Sequence, residues 1–93
     1  MQAQGRHDEA AQILEEALRI QTERGDLIEQ GGILHQISRA YYKQGKLHKA
    51  LESLKTARTV LIQVGESGVA MRREVDRDLF WISILASHAD RGT

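Results

Sequence analysis

The chain has no proline and no cysteine, and only four of its 93 residues are aromatic. Without cysteine there is neither a disulfide framework nor thiolate chemistry, and the redox compartment stays open. Without proline no helix is interrupted by a residue that lacks its N–H and clashes with the preceding turn. No apolar run approaches the roughly 20 residues that a membrane span needs, and the N-terminus carries no signal-peptide pattern. Cytoplasm is therefore the default compartment. Net charge is zero, so no excess of one sign calls for a polyanionic or polycationic partner.

Ala, Leu, Glu, Gln, Lys and Arg dominate what remains, a mixture that favours helix throughout. The chain also repeats itself. The segment from Gly5 to Asp26 lies over that from Gly45 to Glu66 without a gap, a period of 40 residues. Gly5/Gly45, Ala10/Ala50, Leu14/Leu54, Ala17/Ala57 and Gly25/Gly65 are identical; Arg6/Lys46, Ile20/Val60 and Asp26/Glu66 agree in character. A period of this size marks a helical array whose units are each too small to bury an apolar face and must stack on neighbours.

Apolar residues at three- and four-residue spacing predict four helices. The first, about His7 to Arg24, has Ala10, Ile13, Leu14, Ala17, Leu18 and Ile20 on its apolar face, with Asp8 and Glu9 in its first turn. The second, about Leu27 to Gln44, turns Leu34, Ile37, Ala40 and Tyr41 inward. Gly31-Gly32 near its start costs roughly 1 kcal/mol per glycine relative to alanine and permits close helix approach. The third, about Leu47 to Val64, buries Leu47, Ala50, Leu51, Leu54, Ala57, Leu61 and Val64. The fourth, about Gly68 to Ala89, starts polar and becomes apolar nearly all round from Leu79 to Ala86, so it needs cover on more than one side. Glycine turns of two or three residues, near Gly25, Gly45 and Gly65, predict antiparallel neighbours.

The unit from about Glu29 to Gln63 carries Leu34, Ile37, Ser38 and Tyr41 on one helix, Lys43-Gln44-Gly45 at the turn, and Ala50, Leu54 and Ala57 on the next. In this it resembles the tetratricopeptide repeat (TPR) family, with its large–large–small–aromatic series followed by Gly, Ala, large, Ala. Gly5, Ala10, Leu14 and Ala17 repeat the latter half. Usual units have 34 residues and often close with proline, so the longer unit here is similar to the extended repeats of kinesin light chains and bacterial regulatory proteins. The resemblance implies an all-α, α-solenoid fold in one domain: residues 1–25 as the B-type helix of an incomplete repeat, 26–65 as a complete repeat, and 66–93 as a capping or interface helix. At a 40-residue offset the fourth helix is out of phase. Glu74, Arg77 and Asp78 fall on packing positions while Val75, Leu79 and Ile82 fall on groove positions, so the preceding loop must shift the phase.

The family binds peptides or partner helices in a concave groove, which implies groove positions at His35, Arg39, Tyr42 and Lys43. Their i, i+4, i+7, i+8 spacing shares one helical face. Two permanent cations and an imidazole suit a carboxylate or phosphate on the ligand; the ordinary alternative is a solvated face. The chaperone-tail clamp of the family has Asn where Arg39 stands. An opening helix without its A partner and a closing one without its B describe a fragment of a longer array, or ends that complete each other between chains. Leu14, Leu79, Phe80, Trp81, Ile84 and Leu85 are then the candidates for self-association into a homo-dimer or higher oligomer.

Charge is unevenly spread: residues 1–26 hold three basic and six acidic side chains, residues 27–66 six basic and three acidic. An acidic end beside a basic middle suits self-association or an acidic peptide better than duplex DNA. The cluster Lys43, Lys46, His48 and Lys49 has no interleaved aromatics to mark a nucleic-acid surface. His7, His35, His48 and His88 make no metal-ligand spacing, no phosphate loop follows a strand, and Glu15-Glu16 and Asp76-x-Asp78 read as solvated charges with Arg19, Arg73 or Arg77 in reach. No catalytic residue, metal or cofactor is expected. The expectation is a protein-interaction scaffold that binds a peptide or helix, with a peptide-sensing regulatory domain or a purely structural assembly unit as alternatives.

Overall fold

The computed structural model describes residues 2–91, with side chains placed for residue 9 and residues 12–89. Readings that fall on the side chains of Arg6, His7, Asp8, Ala10 and Asp90 lie outside the described set. Helix α1 spans Gln2–Arg24, α2 Leu27–Lys43, α3 Leu47–Val64 and α4 Val69–Arg91, and a short 3-10 turn, Gly65–Gly68, joins the last two. No strand occurs among the described residues. Because α1 begins at Gln2 rather than near His7, Asp8 and Glu9 lie well inside it and not in its first turn.

The first two turns are closed by glycine at positive φ, 77° at Gly25 and 79° at Gly45. A side chain there would strain the left-handed backbone. At each, paired backbone bonds run back over the helix end: Gly45 N–H to the Tyr42 carbonyl and Lys46 N–H to that of Tyr41, both 2.9 Å. These satisfy carbonyls that the helix end leaves unpaired. Asp26 then caps α2, its carboxylate accepting the Glu29 N–H at 3.1 Å. Two- and three-residue turns of this kind reverse the chain, so consecutive helices lie side by side.

Each helix packs on its sequence neighbour, while α2 and α4 touch only sparsely. The result is a row of helices with principal extents of 40 × 27 × 16 Å rather than a closed bundle. Helix α3 is the centre of that row. Ala50, Leu54, Ala57 and Leu61 have no solvent exposure, because α2 covers them on one side and α4 on the other. Alanine at two of these crossings lets the backbones approach, and Gly31 goes further: a Cβ built there would lie 2.5 Å from Leu61 Cδ2. From α2 come Leu34, Ile37 and Ala40, and from α4 Val75, Ile82 and Ala86. Leu47, Leu51 and Val64, expected inside α3, are half-buried at its flanks.

Two expectations need correction. The apolar face of α1 is not covered throughout: Ile13 is 69% exposed and Ile20 40%, since α1 packs mainly against α2 and one flank has no neighbour among the described residues. The last turn is not a short glycine turn either. It takes four residues where the earlier ones take two and three, with Gly68 buried so closely that a Cβ would stand 3.0 Å from the Leu61 carbonyl oxygen. At about 100° of helix rotation per residue, the added length turns α4 so that Val75, Leu79 and Ile82 face α3 and Arg77 faces out.

Candidate functional site

Five of the sequence candidates converge where α2 and α4 lie side by side. Arg39, Tyr42 and Lys43 of α2 face Asp78, Trp81 and Leu85 of α4 across a cleft of about 400 Å³, with Ser38 and Ile82 also lining it. Helix spacing explains both rims: 39, 42 and 43 recur within one turn of α2, and 78, 81 and 85 follow three and four residues apart on α4. Tyr42 is 46% exposed and Trp81 58%, so the cleft presents aromatic surface to solvent beside two cations. Aromatic and cationic side chains together recognise carboxylates flanked by apolar groups.

His35 holds a different place. Its ring is buried, and Nε2 lies 2.7 Å from a carboxylate oxygen of Asp78, joining α2 to α4 beneath the cleft. It is not among the side chains that line the opening. Asp78 was missed by sequence reasoning, which took it for a solvated charge paired along its own helix. The partner lies 43 residues away, and no local spacing points to it. Asp76 likewise reaches a neighbouring helix, its carboxylate forming an ion pair with Arg58 Nε of α3 at 3.0 Å. Among the described residues, Arg19 keeps the pairing expected along a helix, with Glu16 and with Glu23.

The association candidates divide between two surfaces. Trp81 and Leu85 belong to the α2–α4 cleft, whereas Leu79, Phe80 and Ile84 line a second, wider groove of about 690 Å³ between α4 and Arg58 of α3. Phe80 is 63% exposed and sets its ring edge-on to Trp81 with centroids 5.6 Å apart. Leu14 is half-buried on α1. A third, smaller hollow of about 220 Å³ lies where α1, α2 and α3 meet, around Tyr41. There the Tyr41 hydroxyl donates to Glu15 at 3.1 Å, and Lys49 stands over the ring at 5.6 Å. Burial, and then the Glu15 charge, push the Tyr41 hydroxyl above the ordinary tyrosine pKa.

Nothing in this arrangement assembles a nucleophile, a base and an oxyanion pocket, and no group of three or more His, Asp or Glu that could hold a metal occurs among the described residues. Stacked helix pairs with small residues at their crossings and an open cleft between alternate helices define an α-helical repeat. A model of the tetratricopeptide repeat family matches residues 1–63, and the chain belongs to that family. The match takes in α1, α2 and α3; α4 falls outside it. No curated protein and no solved structure matches the chain. Repeats of this family generally mediate protein–protein interaction and are typically not catalytic. No helix among the described residues is long and apolar enough to cross a membrane.

Proposed function

We propose that the chain is an interaction scaffold whose α2–α4 cleft binds an extended peptide or partner helix carrying acidic and apolar side chains. The observation that carries this is the pairing of Arg39 and Lys43 with Tyr42, Trp81 and Leu85 around one opening. The opening is large enough for a few side chains. Asp78 also lines it, one carboxylate oxygen held by His35, so two cations face a single carboxylate and the cations set the sign of the ligand. His35 acts here as the support that fixes the cleft floor.

Trp81 is the only tryptophan in the chain, so its fluorescence reports occupancy directly. Titration with peptides that alternate Asp or Glu with Leu or Phe should change that signal. Affinity should fall as salt is raised and fall about tenfold or more for Arg39→Glu, a loss of about 1.4 kcal/mol. Binding indifferent to both changes would overturn the assignment.

The same proposal includes self-association, through Leu14 on α1 and Leu79, Phe80 and Ile84 on α4, whose apolar surface one chain leaves uncovered. Light scattering across a concentration series tests it. Defined oligomers without peptide binding would favour a structural assembly unit. Peptide binding accompanied by a change in oligomer mass would favour a sensing domain of a larger regulator.

A further inference from the structure

The hollow around Tyr41 is closed by three helices: Glu15 and Leu18 from α1, Tyr41 from α2, and Lys49, Glu52 and Ser53 from α3. The 40-residue repeat carries Leu18 onto Arg58, and Arg58 lines the wider groove on α4. That groove is the same kind of junction one unit further along, with α3 in the place of α1 and α4 in the place of α2. Only its third helix is wanting among the described residues, and the opening is correspondingly larger, about 690 against 220 Å³.

The repeat also names what would fill it. Lys49, Glu52 and Ser53 stand 40 residues after Glu9, Gln12 and Ile13. Those three lie on α1 and are all exposed. Behind them, Leu14 and Ala17 are only half-buried, although their equivalents Leu54 and Ala57 have no exposure at all. Helix α1 is therefore built like α3, but among the described residues it has no cover like that which α2 gives α3. Helix α4 offers such a cover: Phe80 and Ile84 are apolar, and Ser83 and Ser87 beside them are small enough for close approach.

We infer that the groove between α3 and α4 takes helix α1 of a second copy of this chain, head to tail, with Ile13 seated against Phe80 and Ile84. The inference rests on the self-association proposed above and specifies its two surfaces. Charge agrees with it. In the closed junction Glu15 and Lys49 flank Tyr41 from opposite sides. Their equivalents are Lys55 on α3 and Glu9 on the incoming α1, again opposite in sign. A heterologous contact of this kind propagates unless it closes into a ring, so a variant blocked on one face still has the other.

The test is complementation, read by sedimentation velocity on the whole chain. Ile13→Asp and Phe80→Asp replace exposed side chains, and circular dichroism should show both folded. Each alone should associate at least tenfold more weakly than the wild type. Mixed in equal amounts they should form a 1:1 dimer and nothing larger, since one intact α1 meets one intact groove and the remaining faces are blocked. Lys55→Glu should weaken association, and Glu9→Lys on the partner should restore it. Peptide binding at the α2–α4 cleft should be unchanged in Ile13→Asp, Lys55→Glu and Glu9→Lys, none of which touches Trp81. A wild type that stays monomeric at high micromolar concentration overturns both this inference and self-association. A wild type that associates while the mixture stays monomeric, or variants that associate as well as wild type, overturns this inference alone.

Discussion

Gly31 and Gly32 are adjacent in α2, yet alanine should act on them in opposite directions. Replacing glycine by alanine within a helix ordinarily stabilises by about 1 kcal/mol, because the unfolded chain has less freedom to lose. At Gly32 nothing opposes this gain: an added Cβ finds only Met71 Cε and Sδ, at 3.6 and 3.7 Å, which is ordinary van der Waals contact. At Gly31 the Cβ would stand 2.5 Å from Leu61 Cδ2 and 2.7 Å from its Cγ. Leu61 has no exposure, so α2 and α3 must separate or Leu61 must leave its rotamer. Overpacking of this kind costs about 1–3 kcal/mol. Gly32→Ala should therefore raise the melting temperature by about 4–8 °C, and Gly31→Ala should leave it unchanged or lower it by up to twice that amount. The propensity term is common to both, so the difference between the two variants isolates the close helix crossing. Paired thermal and urea melts measure it. In a Leu61→Ala background, itself destabilised by about 2–5 kcal/mol, Gly31→Ala should become stabilising, because the clash has gone. If Gly31→Ala were as stabilising as Gly32→Ala in the intact chain, the α2–α3 crossing described above would be wrong.

Ala50→Leu and Ala57→Leu, at positions without exposure, should each cost about 1–3 kcal/mol in urea melts. Asp26→Ala removes the carboxylate that accepts the Glu29 N–H and should cost about 0.5–2 kcal/mol. The Gln44 side-chain amide is buried without a hydrogen-bond partner among the described residues. Gln44→Met should therefore stabilise by about 1 kcal/mol, since it removes an unsatisfied group at similar volume. The Tyr41 hydroxyl is raised above the ordinary value of 10.0 by burial and then by Glu15. Its protonated form is thus favoured in the folded chain, and its contribution is complete below about pH 10 and lost as pH rises beyond it. Stability measured from pH 8 to 11 should fall less steeply at the alkaline end in Tyr41→Phe.

How much of this was legible in the sequence depends on whether a feature is local. The boundaries of α3, the positive-φ glycines at the turns and the small residues at the helix crossings follow from propensity, spacing and a 40-residue offset. All of these belong to single helices or to neighbours joined by a tight turn. The phase of α4 belongs to neither. Its apolar run from Leu79 to Ala86 goes almost all round the helix, so periodicity alone leaves undecided which side chains turn inward. The four-residue turn Gly65–Gly68 decides it, by a rotation that no residue within α4 encodes. Val75, Ile82 and Ala86 then enter the core, Trp81 and Leu85 fall to the α2–α4 cleft, and Phe80 and Ile84 fall to the groove beside α3. A single cluster of aromatic and aliphatic candidates thereby becomes two surfaces. The His35–Asp78 bond is hidden for the same reason, since it exists only once the phase of α4 is set. The length of one turn thus controls which side chains of α4 meet His35 and which fall on each of the two surfaces.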